Sequence, residues 1–362
     1  MQVIGNLINK KNEKALIGTL PYIEIGDIDV ESKDYIYKNK GSVSGAIFVQ
    51  KNDILVSKVR PTRGAITIVK DEIASASNAF VKLRVNPEIN YKYLYYNLNR
   101  KIFFEYLGTK ETGVTYPSCT ADDIYNYEIK VPLLEEQLEI VEFLDNVNEA
   151  INNRNLQIKD LNKMIDSKYN EIISNEKFDL VEIDHLVKKI SKIKISDRDI
   201  NYIDISSIDR NRNKITDYKQ YNLMKAPSRA KQLLEENDIL YSSVRPNLRN
   251  IAMFKFSKDE EFVGSTGFIV LRANNKVTPQ FLYHTILRTD FTEKMVEKTN
   301  GATYPAINRV DLVNEKIHLV DKTIQEQFDI FCNNIDLQIE LIEQEIIDLE
   351  SLLYTKMHEY FD

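Results

Sequence analysis

Through residues 133–175 the apolar positions advance by alternate steps of three and four: Leu144, Val147, Ile151, Ile158, Leu161, Ile165 and Ile172, with Arg154 and Lys168 filling the two gaps. That step places them on one face of a helix, and the stretch contains no Pro or Gly. It predicts one long helix whose seam packs on a second. Residues 323–362 repeat the pattern with Ile335, Ile339, Ile342, Ile346, Leu349 and Leu353, followed by Lys356 and Tyr360. Elsewhere the pattern is shorter. Residues 21–29 (PYIEIGDID) alternate like a strand and turn at Gly26-Asp27, and residues 46–69 hold two β-rich runs around a turn at Arg60-Pro61-Thr62-Arg63-Gly64. Residues 77–85 read as another strand, 91–107 as one aromatic-rich helix, and 108–120 as a loop.

The same order recurs after the first long helix. Tyr22-Ile23-Glu24-Ile25 answers to Tyr202-Ile203-Asp204-Ile205, NDILVSKVRP (52–61) to NDILYSSVRP (237–246), SNAFVKLR (77–84) to STGFIVLR (265–272), TGVTYPSC (112–119) to NGATYPAI (300–307), and Glu136-Gln137 to Glu326-Gln327. The offset drifts from 180 to 190, so the unit repeated is a whole domain plus a helix. The expected organisation is therefore a first domain at 1–132, a long helix at 133–175, a second domain at 176–322 and a second long helix at 323–362. Connectivity makes paired helices antiparallel. The fold class expected is α+β, with two similar domains joined by an antiparallel coiled coil in a pseudo-two-fold arrangement. About 40 helical residues span roughly 60 Å, comparable to one to two turns of DNA at about 3.4 Å per base step.

Composition adds little until it is divided along the chain. The 362 residues are 43% apolar and 28% charged, ordinary for a globular protein. No apolar run reaches the roughly 18–20 residues of a membrane span. The N-terminus lacks the apolar core of a signal peptide, and Cys119 and Cys332 are isolated, which together point to the cytoplasm. The net charge of −7 looks unsuited to nucleic acid, but the two helical stretches carry −5 and −9, leaving +7 for the domains. An acidic spine with basic lobes suits lobes that touch phosphate; equally, helix surfaces are often simply rich in Glu.

The repeated Val-Arg-Pro segment is the strongest local signal. Lys58, Arg60 and Arg63 cluster in the first copy, and Ser243, Arg245 and Arg249 in the second. Arginine grips phosphate or reads guanine edges bidentately; the other reading is a surface loop whose arginines pair with nearby acids. A second signal is Gly113-Val114-Thr115-Tyr116-Pro117 and its copy Gly301-Ala302-Thr303-Tyr304-Pro305, preceded by Lys110 and Lys298. Its Gly allows close backbone approach and its hydroxyls suit phosphate or base; a turn with Tyr packed beneath is the alternative. Arg229 is a weaker candidate. Catalytic patterns are missing: no G-x-x-x-x-G-K-[ST], no G-x-G-x-x-G, no Asn-Pro-Pro-aromatic tetrapeptide, and His185, His284, His318 and His358 lack metal-ligand spacing. A binding role is favoured over catalysis.

In the duplicated NDIL-x-S-x-VRP strand and loop, the Thr-Tyr-Pro loop and the Pro-x-x-Glu-Glu-Gln lead-in to the long helix, the sequence resembles the specificity (S) subunit of type I restriction-modification enzymes over essentially its whole length. The second lead-in departs from this, with Asp321 where Pro-rich sequence is usual. The resemblance implies two target-recognition domains, each reading half of a bipartite double-stranded DNA site, and a helix pair that fixes the gap. It further implies two modification subunits that methylate adenine with S-adenosylmethionine, and restriction subunits that use ATP and Mg. The chain itself would be non-catalytic, with no cofactor of its own. A specificity subunit of a related, type II-like system, a coiled-coil scaffold with protein-binding lobes, and a methylase or nuclease fused to its reader stand as the competing readings.

Overall fold

The computed structural model describes the chain apart from residues 12, 16, 17, 19, 39, 40, 175–177, 195, 257–259 and 300–304. It divides into two compact units, Met1–Asn155 with Glu343–Asp362, and Leu156–Ile342.

The first unit holds a four-stranded antiparallel sheet in the order Ile8–Asn9, Phe80–Val85, Ile54–Ser57, Ile66–Ile68, and a three-stranded sheet in the order Tyr22–Ile23, Ile73–Ala76, Ile47–Gln50. In the smaller sheet the first pair is parallel and the second antiparallel. The second unit repeats both. Its antiparallel sheet runs Val187–Lys188, Phe268–Ala273, Ile239–Ser242, Ile251–Met253. Its mixed sheet runs Lys219–Asn222, Asp199–Ile203, Phe262–Ser265, Ala230–Leu233, again with one parallel pair. The outer strand Lys219–Asn222 is the addition. The central strands Ile54–Ser57 and Ile239–Ser242 are buried at every position. They therefore appear as continuous apolar runs and not as alternation. In each unit the strand before the domain pairs with the strand after it: Gln2–Val3 with Glu128–Ile129, and Asp179–Glu182 with Lys316–Leu319.

The two long helices are Leu134–Ser174 and Lys322–Phe361. Within the first unit Phe143 meets Tyr360 at 6.1 Å between ring centroids, and Arg154 pairs with Glu345 at 2.6 Å. One number rises as the other falls, so the helices run antiparallel there. Within the second unit the two helices also touch, where Tyr169 meets Phe328 at 5.8 Å between ring centroids. Of the seam positions, Leu144, Val147, Leu161, Ile165, Ile335, Ile339, Ile342 and Ile346 are buried; Ile151, Ile158, Leu349 and Leu353 are half-buried.

Three local expectations change. Tyr169, not Lys168, occupies the seam after Ile165: Tyr169 is buried, its ring packs on Phe281 and its hydroxyl hydrogen-bonds Thr285 Oγ1 at 2.7 Å, while Lys168 pairs with Glu171. A step of four follows the 3.6-residue turn, and an ammonium there would lose its water. The helix predicted over 91–107 is two, Tyr91–Leu98 and Lys101–Lys110, broken where Arg100 turns extended and reaches Asp362 over the ring of Phe361. The second unit breaks likewise at Arg288, which lies over Tyr169. Finally, the residue that answers to Gln137 is Gln325, not Gln327. Both are fully buried. Each side-chain oxygen accepts a backbone N–H, from Asn90 at 2.8 Å and Thr278 at 2.7 Å. Each amide donates to two carbonyls, Glu88 and Pro132 in one unit, Lys276 and Val320 in the other.

Candidate nucleic-acid interface

The repeated NDIL-x-S-x-VRP motif is first a device for ending a hairpin. Asn52 and Asn237 adopt the left-handed conformation, φ 70° and 68°, which Asn tolerates better than most residues. Asp53 and Asp238 are fully buried and take paired hydrogen bonds from Arg84 and Arg272, at 2.8 and 2.7 Å in both units. Ser57 and Ser242 donate to the carbonyls of Val59 and Val244 at 2.8 and 2.9 Å. These residues shape the loop.

The arginines that follow are different. Arg60 and Arg245 both sit in the left-handed region, at φ 47°, ψ 53° and φ 49°, ψ 62°. Each precedes a Pro that opens a short 3-10 turn, Pro61–Arg63 and Pro246–Leu248. A non-glycine residue there costs about 1–2 kcal/mol, so surrounding bonds must hold it. They do: Arg60 N–H donates to Pro117 O and Arg245 N–H to Pro305 O, both at 2.7 Å. Cys119 N–H donates to Lys58 O at 3.0 Å, and Ile307 N–H to Ser243 O at 2.9 Å. In the first unit the Arg-Pro loop and the Thr-Tyr-Pro loop, distant in sequence, thus form one hydrogen-bonded tip; in the second the matching bonds tie the Arg-Pro loop to Pro305 and Ile307.

In the first unit the tip carries Arg60 half-exposed over the ring of Tyr116, 5.4 Å from its centroid. Val114, Thr115, Tyr116 and Arg63 are exposed around it. Gly113 turns the chain at φ 92°, where a Cβ would lie 3.2 Å from Tyr116 O. Lys58 is half-buried; Lys110 is exposed, its ammonium 5.4 Å from the Tyr106 ring. The Cys119 thiol below the tip is pushed up to about 11 by burial, so it stays protonated and serves as packing.

In the second unit Arg245 is exposed and Ser243 donates its hydroxyl to Gly267 O at 2.8 Å. Thr266 N–H donates to Arg229 O at 2.9 Å, which brings exposed Arg229 to the same rim. Two candidates are committed elsewhere. Arg249 donates through Nη2 to Leu287 O, the C-terminal carbonyl of helix Pro279–Leu287, and its Nε is buried without a partner. Lys298 donates to Glu315 at 2.7 Å and Asp311 O at 3.0 Å. Thr303 and Tyr304 lie outside the described residues, with Gly301 and Ala302. Beside the 3-10 turn a polar concavity of about 490 Å³ is lined by Arg210, Asn211, Asn213, Asn247 and Arg249.

Comparison with known proteins agrees with the duplicated layout. A family model described as "Type I restriction modification DNA specificity domain" matches residues 2–161 and again 175–351. The type I restriction enzyme HindI specificity subunit of Haemophilus influenzae is 28% identical over 164 residues, covering 44% of this chain and 36% of the relative. The MjaVIII specificity subunit of Methanocaldococcus jannaschii is 36% identical over 118 residues, covering 32% and 27%. The matched part of the chain spans about a third of the length of these curated relatives. Among solved structures, the type I restriction-modification system S subunit from M. genitalium covers 100% of this chain and 95% of its own at 16% identity, with a TM-score of 0.57. A chain from work on complex assembly and conformational transition of the type I R-M system covers 99% and 96% at 15% identity, with a TM-score of 0.59. These two share the fold.

Proposed function

The chain belongs to the type I restriction modification DNA specificity family, and on that premise we propose that it is the DNA-reading subunit of a restriction-modification assembly. Each unit reads one half of a bipartite duplex site with its tip of paired loops. The long helices fix the gap and carry two modification subunits, which bring S-adenosylmethionine; restriction subunits with ATP and Mg complete the assembly. The chain's own task is recognition, and bond-making falls to its partners. No helix among the described residues is long and apolar enough to cross a membrane, and we place the work in the cytoplasm, where the DNA is.

One observation carries the reading. Both units hold an arginine at a position where glycine fits at less conformational cost, and both hold it by the same pair of backbone bonds. Strain kept at matched positions, one half-exposed and one exposed, points to side chains with a task beyond shaping the loop. A guanidinium at a loop tip matches the O6 and N7 acceptors of guanine in the major groove, a contact whose loss costs about 1–3 kcal/mol. Mapping methylated adenines in cells with and without the chain gives the site. Arg60→Ala and Arg245→Ala are then tested by fluorescence anisotropy on a duplex bearing it. Each is expected to bind about 5- to 150-fold more weakly; unchanged affinity and unchanged site choice in both would remove the tips from the reading.

A further inference from the structure

The second unit contains a basic cleft apart from the Arg-Pro loop. About 490 Å³ in volume, it is lined by Lys188, Lys189, Lys192, Lys231, Arg309 and Thr266, with Asp184 as its one carboxylate. Backbone bonds fix the lysines in place: Ile193 N–H donates to Lys231 O at 3.0 Å and Leu233 N–H to Ser191 O at 3.1 Å. Arg309 is anchored through Nη1 to Val270 O at 2.8 Å. None of the four lysines makes an ion pair among the described residues, and Lys188, Lys189 and Lys192 are exposed. Five cations against one acid in one concavity concentrate positive potential.

The cleft adjoins the Arg245 tip by two short connections. Thr266 precedes Gly267, whose carbonyl accepts from Ser243. Arg309 lies two residues after Ile307, which donates to Ser243 O. The backbone that shapes the tip thus also shapes one wall of the cleft. The first unit keeps only part of this. Lys10, Lys11 and Lys14 repeat the spacing of Lys188, Lys189 and Lys192. Yet Ala46 stands at the position of Lys231, as the matching bond from Ala15 N–H to Ala46 O shows. Ala121 stands at the position of Arg309, each being the first residue of the matching short helix. Glu13 replaces Ser191 and pairs with Lys11 at 3.4 Å. The fold is duplicated; the charge is not.

We propose that this cleft grips the phosphodiester backbone of DNA beside the bases met by the Arg245 tip. The second unit then carries the larger share of the salt-dependent binding. Lysine suits the role, since a hydrated ammonium neutralises phosphate without demanding one geometry. The proposal rests on the DNA-reading function above and adds to it a division of labour between the units.

The test uses the full chain with the subunits that purify with it, the site-bearing duplex and a scrambled duplex of equal length, titrated between about 50 and 200 mM salt. A variant carrying Lys188→Ala, Lys189→Ala, Lys192→Ala and Lys231→Ala is compared with Lys10→Ala, Lys11→Ala, Lys14→Ala and with the exposed control Lys225→Ala. Contacts to phosphate each contribute about 0.9 to the slope of log affinity against log salt. The quadruple variant is expected to lose about 2–4 from that slope and to weaken both duplexes alike. The first-unit triple is expected to lose less than about 1, and Lys225→Ala nothing. A quadruple variant with the wild-type slope and an unchanged thermal midpoint overturns the proposal. So does one that keeps the slope but no longer co-purifies with its subunits, which would assign the cleft to an acidic protein surface. Failure of the wild-type chain to bind any duplex defeats the underlying function instead, and is distinguishable because it precedes the comparison.

Discussion

Arg60 and Arg245 separate folding from recognition at a single residue. Glycine in their place relieves the left-handed backbone by about 1–2 kcal/mol and costs about 0.5–1 kcal/mol in unfolded-chain entropy. Arg60→Gly and Arg245→Gly should therefore leave stability within about 1 kcal/mol of wild type in a urea titration, while DNA affinity falls as in the alanine variants. A drop in stability of several kcal/mol would show that the guanidinium is structural, as it already is at Arg249. The buried glutamines behave the other way. Gln137→Ala and Gln325→Ala each strand a backbone N–H and two carbonyls, with a cost of about 1–3 kcal/mol per group left unpaired, and with no change in site choice. Residue identity was legible where the two copies spell alike, as in Asn52-Asp53 and Asn237-Asp238. It failed at the second glutamine because TIQEQ offers two candidates and the groups that decide for Gln325, at Thr278, Lys276 and Val320, are all backbone.

Among the elements, the long helices were readable because their period persists over many turns. The pairing of the two loops into one tip was not, because it runs through backbone N–H and carbonyl groups that leave no mark in side-chain spacing. The break at Arg100 was hidden for a related reason: its partners, Phe361 and Asp362, lie at the far end of the chain. The helix Pro279–Leu287 has a consequence for pH. His284 packs on Tyr283 and Phe328, and burial lowers its imidazole from the ordinary 6.5 to about 4, with Lys255 in the same direction and Asp336 opposing. The unfolded chain binds this proton more readily than the folded one, so stability rises with pH across the window from about 4 to 6.5 and is lost as pH falls through it. The slope is at most about 1.4 kcal/mol per pH unit. His284→Leu should flatten that part of the profile, measured as urea midpoints between pH 4.5 and 6.5; a profile identical to wild type would show that the imidazole is protonated in place.

For the molecule as a whole, duplication of fold with unequal charge makes the two halves separable in energy. The loops at Arg60 and Arg245 belong to different compact units and share no backbone hydrogen-bond partner among the described residues. Substitutions with no shared partners add in free energy to within about 0.3–0.5 kcal/mol. If each tip reads its own half-site, Arg60→Ala with Arg245→Ala should weaken binding by the sum of the single losses. Each single variant should relax base preference in one half only. Strong coupling, of about 1 kcal/mol or more, would mean that both tips press on one patch of DNA or that one reorganises the other. If the long helices set the gap as proposed, they sharpen the same experiment, since their formal charge of −5 and −9 would repel phosphate there. Base pairs in that stretch should then tolerate substitution with little change in affinity. A competition series that scrambles the gap while keeping both half-sites measures this directly, and a loss there comparable to a half-site mismatch, about 1–3 kcal/mol, would contradict a reader made of two independent tips.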